Sequence, residues 1–155
     1  MDEWIQAQYL EEETYSPTVR LESMMLSCLI DAYEKGHVRT VDIKGAFIKA
    51  KVPDEMNLIV KLDRELSEVM QELSLELKIG EDRVMYLKCA KALHGHMEAA
   101  RLFYCDLNTS LTMKMNFVRN RYDPCIYNKE AYKKEPVAVW THVDDLKLSA
   151  KSETC

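Results

Sequence analysis

The sequence is short of the features that mark several protein classes. Glycine and proline number only four each, and no repeat or low-complexity tract is present. No apolar run approaches the roughly 18 residues needed to span a bilayer, so no transmembrane helix is expected. The five cysteines are scattered, without a CxxC pair or an N-terminal secretory signal. Neither a disulfide framework nor a zinc knuckle is therefore predicted, and a reducing intracellular compartment is the natural reading.

The chain also lacks a basic excess, because its net charge is −5. A nucleic-acid-binding domain usually carries a basic surface, so the overall charge argues against strong nucleic-acid binding by this chain alone. Acidic residues concentrate at positions 11–13 and 63–76. Five lysines could still form a local basic strip, although solvated surface lysines are an equally good reading: Lys44, Lys49, Lys51, Lys88 and Lys91.

The hydrophobic pattern predicts one α+β domain. With 47% hydrophobic residues in 155, the chain can bury a single core. Helical spacing of apolar residues predicts helices over about 19–35, 63–77 and 96–115, with Asp63 as a helix cap and a stripe from Met97 to Leu111 in the core. Strands are predicted at 38–42, 57–62, 84–87 and 125–128, followed by a terminal hairpin.

Two predicted strand ends carry carboxylates. The tetrad His142-Val143-Asp144-Asp145 lies between the strand-like runs 136–141 and 146–150, which predicts a tight hairpin with both acids at its tip. An Asp-Asp turn alone is more often a solvated hairpin tip. Asp42, however, ends another β-branched run. Three converging carboxylates could hold two metal ions about 3.5–4 Å apart, as in-line phosphoryl transfer requires.

Four blocks of the chain, in order, resemble the reverse transcriptases of copia-type LTR retrotransposons. These blocks are residues 13–20 (ETYSPTVR), 41–47 (VDIKGAF), 86–95 (YLKCAKALHG) and 122–125 (YDPC) leading to 142–145 (HVDD). The resemblance covers about residues 13–152, nearly the whole chain. One block could arise by chance, whereas four in the family's order identify the chain as a member of this family.

The resemblance implies roles for particular residues. The catalytic metal-binding carboxylates would be Asp42, Asp144 and Asp145, with the backbone carbonyl of Ile43 completing the shell of one of two Mg²⁺ ions, or of Mn²⁺ as the alternative ion. Residues that would contact the incoming nucleotide are Lys44, Gly45, Ala46, Phe47 and Gly95. Residues that would lie near primer and template are Arg101, His142 and Val143. Phe47 matches the aromatic steric gate that excludes ribonucleotides, and its alternative reading is an ordinary core phenylalanine.

The implied fold is a palm-like antiparallel sheet with helices on one face and the acids on the other. Residues 1–155 would form a single partial reverse transcriptase domain, with part of the fingers and most of the palm but without thumb or RNase H. The implied function is RNA-directed DNA polymerase, acting on an RNA or DNA template-primer and dNTPs. An intracellular, cytoplasmic location, in virus-like particles by family analogy, and no membrane partner are expected.

Some residues depart from the family pattern and keep alternatives open. His142 replaces the commonest tyrosine, and Glu98-Ala99-Ala100-Arg101 replaces Gln-Ala-Pro-Arg, which brings negative charge near the expected substrate. A non-catalytic relic that folds and binds divalent metal is therefore the second hypothesis. Another palm-type nucleotidyltransferase is a weaker third. His94 and His96 form an HxH pair that we interpret as surface histidines, since no third metal ligand lies near them in sequence.

Overall fold

The computed structural model describes residues 15–74, 77, 80, 82–130 and 136–151. The helices are α1 (Leu21–Glu34), α2 (Ala46–Lys49), α3 (Arg64–Leu73) and α4 (Ala99–Thr109), which continues as a π-helical turn (Ser110–Lys114). The strands are β1 (His37–Asp42), β2 (Ile59–Leu62), β3 (Met85–Lys88), β4 (Val118–Arg119), β5 (Ile126–Glu130), β6 (Pro136–His142) and β7 (Asp145–Ala150). Within these described ranges, no helix is long and apolar enough to cross a membrane.

Local sequence signals set the ends of two helices. At the start of α3, the Asp63 side chain accepts a hydrogen bond from the Leu66 amide at 3.0 Å, which confirms the predicted cap. At the end of α1, Lys35 turns into the left-handed region with φ of 53°, and the next amide, that of Gly36, bonds to the Asp31 carbonyl at 2.9 Å. Helix α1 therefore begins and ends within two residues of the predicted positions. Helix α3 begins where it was predicted but ends at Leu73, four residues before the predicted end, because the backbone of Ser74 is extended.

The strands form two antiparallel sheets. The larger has the order β1-β7-β6-β5-β4, and β2 pairs with β3 in the smaller. Every strand pair in both sheets is antiparallel, so the predicted α+β class with an antiparallel sheet is confirmed. The two-residue strand β4 was not predicted, because so short a segment shows no alternation of apolar and polar residues.

Two apolar clusters hold these elements together. One lies between α4 and the large sheet and contains Leu111, Phe117, Tyr127 and Val139. The other joins α2, the segment after it and α4, and its buried members are Ala46, Ala50, Val52, Ala92, Ala99, Leu102 and Phe103. Helix α4 thus contributes to both clusters.

The predicted stripe of α4 is only partly the buried one. Leu111 is buried as expected, while Met97, Ala100, Tyr104 and Leu107 are half-buried. The most buried residues of the helix are Ala99, Leu102 and Phe103. The helix meets two clusters in different directions, so its buried surface is wider than a single stripe.

Helices cover both faces of the large sheet, so the prediction of helices on one face only is wrong. Successive residues of a strand point to opposite faces. Leu146 and Leu148 of β7 pack against the cluster that includes Leu111, whereas Lys147 bonds to Ser27 and Asp31 of α1. Helix α1 therefore lies on the face of the sheet that carries Lys147. This face of β7 is polar, and α1 supplies polar partners for it.

The apolar residues that predicted α1 remain largely exposed. Leu26, Leu29, Ile30 and Tyr33 are all exposed, with Tyr33 at 90%. Helix α1 has no fully buried residue. Polar contacts to the sheet hold it in place, together with the segment just before it, in which Val19 is buried.

Candidate active site

The predicted acidic hairpin is present. Strands β6 and β7 are joined by only two residues, Val143 and Asp144, with His142 directly opposite Asp145. Val143 has φ of 56°, and a positive φ at the first position of a two-residue loop is typical of a type II′ turn. A β-branched residue rarely adopts this conformation, and it stores strain of about 1–3 kcal/mol. The hairpin tip is therefore a strained point in the backbone.

Strand β1 brings the third carboxylate to this hairpin. Asp42 lies directly opposite Asp145 in the β1–β7 pair, and the Ile43 amide donates to the Asp144 carbonyl at 3.0 Å. This bond lies beyond the Asp42–Asp145 pair, so that pair is a non-hydrogen-bonded one, with Cα atoms about 4.5 Å apart and side chains on one face. The register therefore brings together residues that are more than 100 positions apart in the sequence.

Without a bound cation, the Asp42–Asp145 pair should destabilise the folded chain. Like charges directly opposite on neighbouring strands destabilise a sheet. Asp42 and Asp145 are exposed and Asp144 is half-buried, which leaves all three carboxylates accessible to a cation. Carboxylate oxygens are the ligands that Mg²⁺ prefers, so the donor type fits a hard dication.

The side chains themselves do not form a closed ligand set. Among the described residues, no group of three or more His, Cys, Asp or Glu side chains is placed to hold a metal ion. Mutual repulsion favours side-chain directions that keep the charges apart. The backbone register thus places the three residues, and their final side-chain directions depend on rotation about the side-chain bonds.

The residues expected to contact the incoming nucleotide lie around α2. Gly45 precedes this helix with φ of 64°, and a Cβ there would lie 3.1 Å from the Ile48 side chain. Lys44 is exposed and Ala46 is buried in the cluster that joins α2 and α4. Gly45 is therefore favoured by its backbone angle, while a Cβ there would also require the exposed Ile48 side chain to shift.

Phe47 has both a core contact and an accessible one. Its ring packs edge-on against Phe103 with centroids 6.1 Å apart, and it lies 5.3 Å from the ring of His94, which is exposed. Phe47 itself is half-buried. Phe47 therefore has a core contact and an accessible part of its ring, and its role as a steric gate stays a prediction.

Gly95 lies in a turn before α4 rather than in the first turn of that helix. The helix begins at Ala99, and Gly95 has φ of 89°. A Cβ at this position would meet no atom within 4 Å. The glycine is thus required by its backbone angle, and the space beside it is open.

Glu98 and Arg101 are more buried than the sequence suggested. Glu98 is 5% exposed, and its Oε2 atom has no hydrogen-bond partner among the described residues. In the same part of the chain the Nε of Arg101, which is half-buried on α4, also has no hydrogen-bond partner in the part of the chain that the structure describes. A buried carboxylate oxygen without a partner is costly, so this departure from the family pattern affects the interior and not only the surface charge.

His142 lies on the same face as Asp145, beside the start of α1. A cavity of about 320 Å³ is lined by His142 and Asp145 together with four other residues, Val19, Leu21, Met24 and Trp140. His142 is exposed. The face that carries the acidic pair is therefore bounded on one side by α1.

Two further residues that support the hairpin and its neighbours were given no role from the sequence, although Asp123 belongs to the block at 122–125. Asp123 is buried and accepts hydrogen bonds from the backbone amides of Arg20 and Cys125, each at 3.0 Å. Burial raises the pKa of the Asp123 carboxyl, but these amides and the Ser23 hydroxyl outweigh it and lower that pKa below its ordinary value. The second is Lys147, whose ammonium group pairs with Asp31. The available signal for this buried ion pair was a lysine between two leucines of the strand-like run 146–150.

Sequence comparisons assign the chain to a family. A family profile described as "Reverse transcriptase (RNA-dependent DNA polymerase)" matches residues 4–155. The chain belongs to this reverse transcriptase family. It is also 22% identical over 142 residues to the "Retrovirus-related Pol polyprotein from transposon TNT 1-94" of Nicotiana tabacum, an alignment that covers 92% of the chain and 10% of that polyprotein. No solved structure matches the chain.

These findings confirm the resemblance on which the sequence interpretation was based. The chain is a copia-type reverse transcriptase sequence. It spans about a tenth of the length of the tobacco polyprotein. The activities of the whole polyprotein therefore do not follow for this chain from the match alone.

Proposed function

We propose that this chain supplies the catalytic palm of an RNA-directed DNA polymerase. The observation that carries the proposal is the register of β1 against β7, which sets Asp42 opposite Asp145 while Asp144 lies in the adjoining turn. Family membership supports the same reaction. The products would be a primer longer by one deoxynucleotide and pyrophosphate.

The residues Asp42, Asp144 and Asp145, with the carbonyl of Ile43, would hold two Mg²⁺ ions. When bound, two such ions supply activation of the primer 3′-hydroxyl and neutralisation of charge on the triphosphate and pyrophosphate. The carboxylates would fix where this positive charge lies. The short β6–β7 turn keeps Asp144 next to Ile43, whose amide donates to the Asp144 carbonyl. Catalysis by the protein then consists of positioning, without a protein nucleophile.

The neighbouring residues would position the nucleotide and the primer end. Phe47 would lie against the sugar and exclude a 2′-hydroxyl, supported from behind by Phe103. Gly95 would leave room for the new base pair, as its open surroundings allow. His142, on the face of Asp145, would lie beside the primer end.

Loss of one carboxylate tests this assignment directly. Asp42→Asn or Asp144→Asn should weaken Mn²⁺ binding, which calorimetric titration measures. The loss of affinity should exceed roughly 10–100-fold, the range typical when a residue that only supports a metal ligand is lost. Asp54→Asn is the matched control, because Asp54 is exposed and lies outside the hairpin. Far-UV circular dichroism should show all three variants folded. Unchanged Mn²⁺ affinity in the two hairpin variants would refute the metal site.

A second candidate is a palm that binds divalent metal without polymerising. The buried, unpartnered Oε2 of Glu98 favours it, because a negative charge next to the turn of Gly95 opposes an approaching phosphate. Primer extension by a polyprotein that carries this palm distinguishes the two candidates. If the primer is extended and Asp144→Asn abolishes this extension, the polymerase is supported. If the protein binds Mn²⁺ but extends no primer, both before and after Glu98→Gln, the second candidate is supported.

A further inference from the structure

Helix α1 carries an apolar face on the side opposite the large sheet. Its residues Ser27 and Asp31 bond to strand β7. Because two residues along an α-helix correspond to a rotation of about 200°, Leu29, which lies two residues from each of them, points away from the sheet. Met25 and Tyr33 lie about one turn before and after Leu29, on the same side of the helix. The helix therefore meets the sheet with polar side chains and turns apolar ones outward.

This outer face is larger than the apolar patches of most monomeric proteins. The outer face of α1 comprises Met25, Leu26, Leu29, Ile30 and Tyr33, which range from 48% exposed at Ile30 to 90% exposed at Tyr33. At roughly 100 Å² for each large side chain, it presents on the order of 500 Å² of apolar surface. In a homodimer interface of standard size, each copy buries about 800 Å², of which about 65% is apolar. The outer face of α1 therefore has the apolar area that one side of such an interface needs, whereas monomers rarely expose so large a patch.

The charges of α1 favour a second copy of this chain as the occupant of its outer face. Residues 21–34 contain no lysine or arginine, whereas a helix that lies on a membrane is rich in them on its polar face. Glu22 lies at one end of the outer face and Lys35 follows the other end. When two α1 helices run antiparallel, Glu22 of each copy comes close to Lys35 of the other, and the two helix dipoles are also opposed. Opposite charges placed in this way fix the register of an interface more than its affinity.

A cavity beside the outer face of α1 can receive a side chain of the second copy. It has a volume of about 390 Å³, lies between α1 and the large sheet, and is lined by Leu26, Ile30 and Trp140 among others. In an antiparallel pair centred on Leu29, Tyr33 of one copy lies over Leu26 of the other, at the edge of this cavity. An aromatic side chain that enters a pocket on its partner is typical of the residues that carry most of the binding energy of an interface.

We infer that this chain forms a homodimer in which two α1 helices pack antiparallel through their outer faces, with Leu29 next to the twofold axis. An interface of this kind uses the same patch on both copies, so one exposed apolar face is sufficient to build it. The inference goes beyond the proposed function and does not depend on it. It also accounts for the apolar spacing of α1, which the contacts of this helix to the sheet leave exposed.

Sedimentation velocity of the parent chain and two matched variants tests the dimer. Protein is run over about 1–100 µM, because interfaces of standard size have dissociation constants of micromolar or below. The parent should sediment as a dimer, and Leu29→Gln should weaken dimerisation by about 30-fold or more, since each dimer loses two central contacts. Leu73→Gln is the control, because Leu73 is a leucine of α3 that is 77% exposed, and it should leave the dimer unchanged. A parent chain that stays monomeric throughout, or an equal effect of both substitutions, would overturn the inference.

Cysteine crosslinking tests the antiparallel order of the two helices. The background chain has serine in place of Cys28, Cys105 and Cys155. One version then carries Met25→Cys and the other Ala32→Cys, two positions that face each other across an antiparallel pair centred on Leu29. A disulfide needs Cα atoms about 4.4–6.8 Å apart, so a mixture of the two versions should form linked dimers under mild oxidation, while each version alone should not. Linked dimers of the Met25→Cys version alone would show parallel packing and overturn the proposed arrangement.

Two control measurements separate a loss of dimerisation from a loss of folding or of the metal site. Far-UV circular dichroism of Leu29→Gln should match that of the parent chain, because Leu29 is exposed and glutamine has a helix propensity close to that of leucine. Mn²⁺ titration of this variant should also give the parent affinity, because Leu29 points away from the sheet that carries the carboxylates. If Asp42→Asn leaves Mn²⁺ binding unchanged while Leu29→Gln still abolishes the dimer, the metal proposal fails and the dimer stands.

Discussion

The ion pair between Asp31 and Lys147 should be the polar contact on which the fold depends most strongly. The ammonium of Lys147 donates to Asp31, to the Ser27 hydroxyl at 2.8 Å and to the Ser149 hydroxyl at 2.9 Å. Ser149 also donates to Asp31 at 3.0 Å. All three N–H groups of the lysine are therefore used. This network fastens α1 to β7, the strand that begins with Asp145.

The burial of this ion pair sets the loss of stability that we expect when one partner is removed. The side chains of Lys147 and Asp31 are 6% and 13% exposed. Removing one member of a buried pair leaves an uncompensated charge, which costs about 3–5 kcal/mol. Since domains of this kind are stable by about 5–15 kcal/mol, Asp31→Leu or Lys147→Met alone should remove a large part of the stability. Removing both charges together should cost much less, because two buried charges disappear at once.

Urea unfolding followed by far-UV circular dichroism measures this double-mutant cycle. We expect a coupling free energy of at least about 2 kcal/mol between the two sites. The exposed pair Glu68 and Arg83, 3.9 Å apart and more than half exposed on each side, is the matched control. The corresponding cycle there should give about 0–1 kcal/mol. Additive losses at Asp31 and Lys147, or single losses below about 1 kcal/mol, would refute the argument that this pair is buried and coupled.

Two other predictions concern the backbone and the acid stability of the same region. Val143→Gly should be more stable than Val143→Ala by about 1 kcal/mol in urea unfolding, because only glycine relieves the φ of 56°; the opposite order would show that the turn is unstrained. The lowered pKa of Asp123 stabilises the fold above the ordinary pKa of 3.8, and this contribution is lost as pH falls through the lower folded value. Asp123→Asn should therefore flatten the decline of stability between about pH 5 and pH 2, as followed by urea unfolding at each pH, and an unchanged decline would assign the acid sensitivity to other carboxylates.

The sequence was informative wherever a short segment determined its own structure. Asp63 marked the start of a helix because its side chain can reach an amide three residues ahead. The tetrad at 142–145 marked a hairpin because two alternating runs flank a two-residue turn. The family could be identified for the same reason, since each motif is a continuous block and the blocks occur in order.

The sequence was less informative where a face of an element depended on its partners. Helix α1 was predicted from apolar spacing, yet its apolar residues are exposed and its contacts to the sheet are polar. Likewise, the sequence did not show that Glu98 is buried. Periodicity finds a helix but does not show which neighbour will cover which side.

The sequence by itself determined the class of the chain and its family, and it predicted three aspartates as the metal ligands of a polymerase. Only the tertiary structure decided that Asp42 lies opposite Asp145, that helices cover both faces of the sheet, and that Lys51 lies opposite Lys91. The physical reason is the range of the interactions. Caps and turns are fixed by bonds between residues a few positions apart, whereas register and burial are fixed by contacts between segments that are distant in the chain and meet only once it has folded.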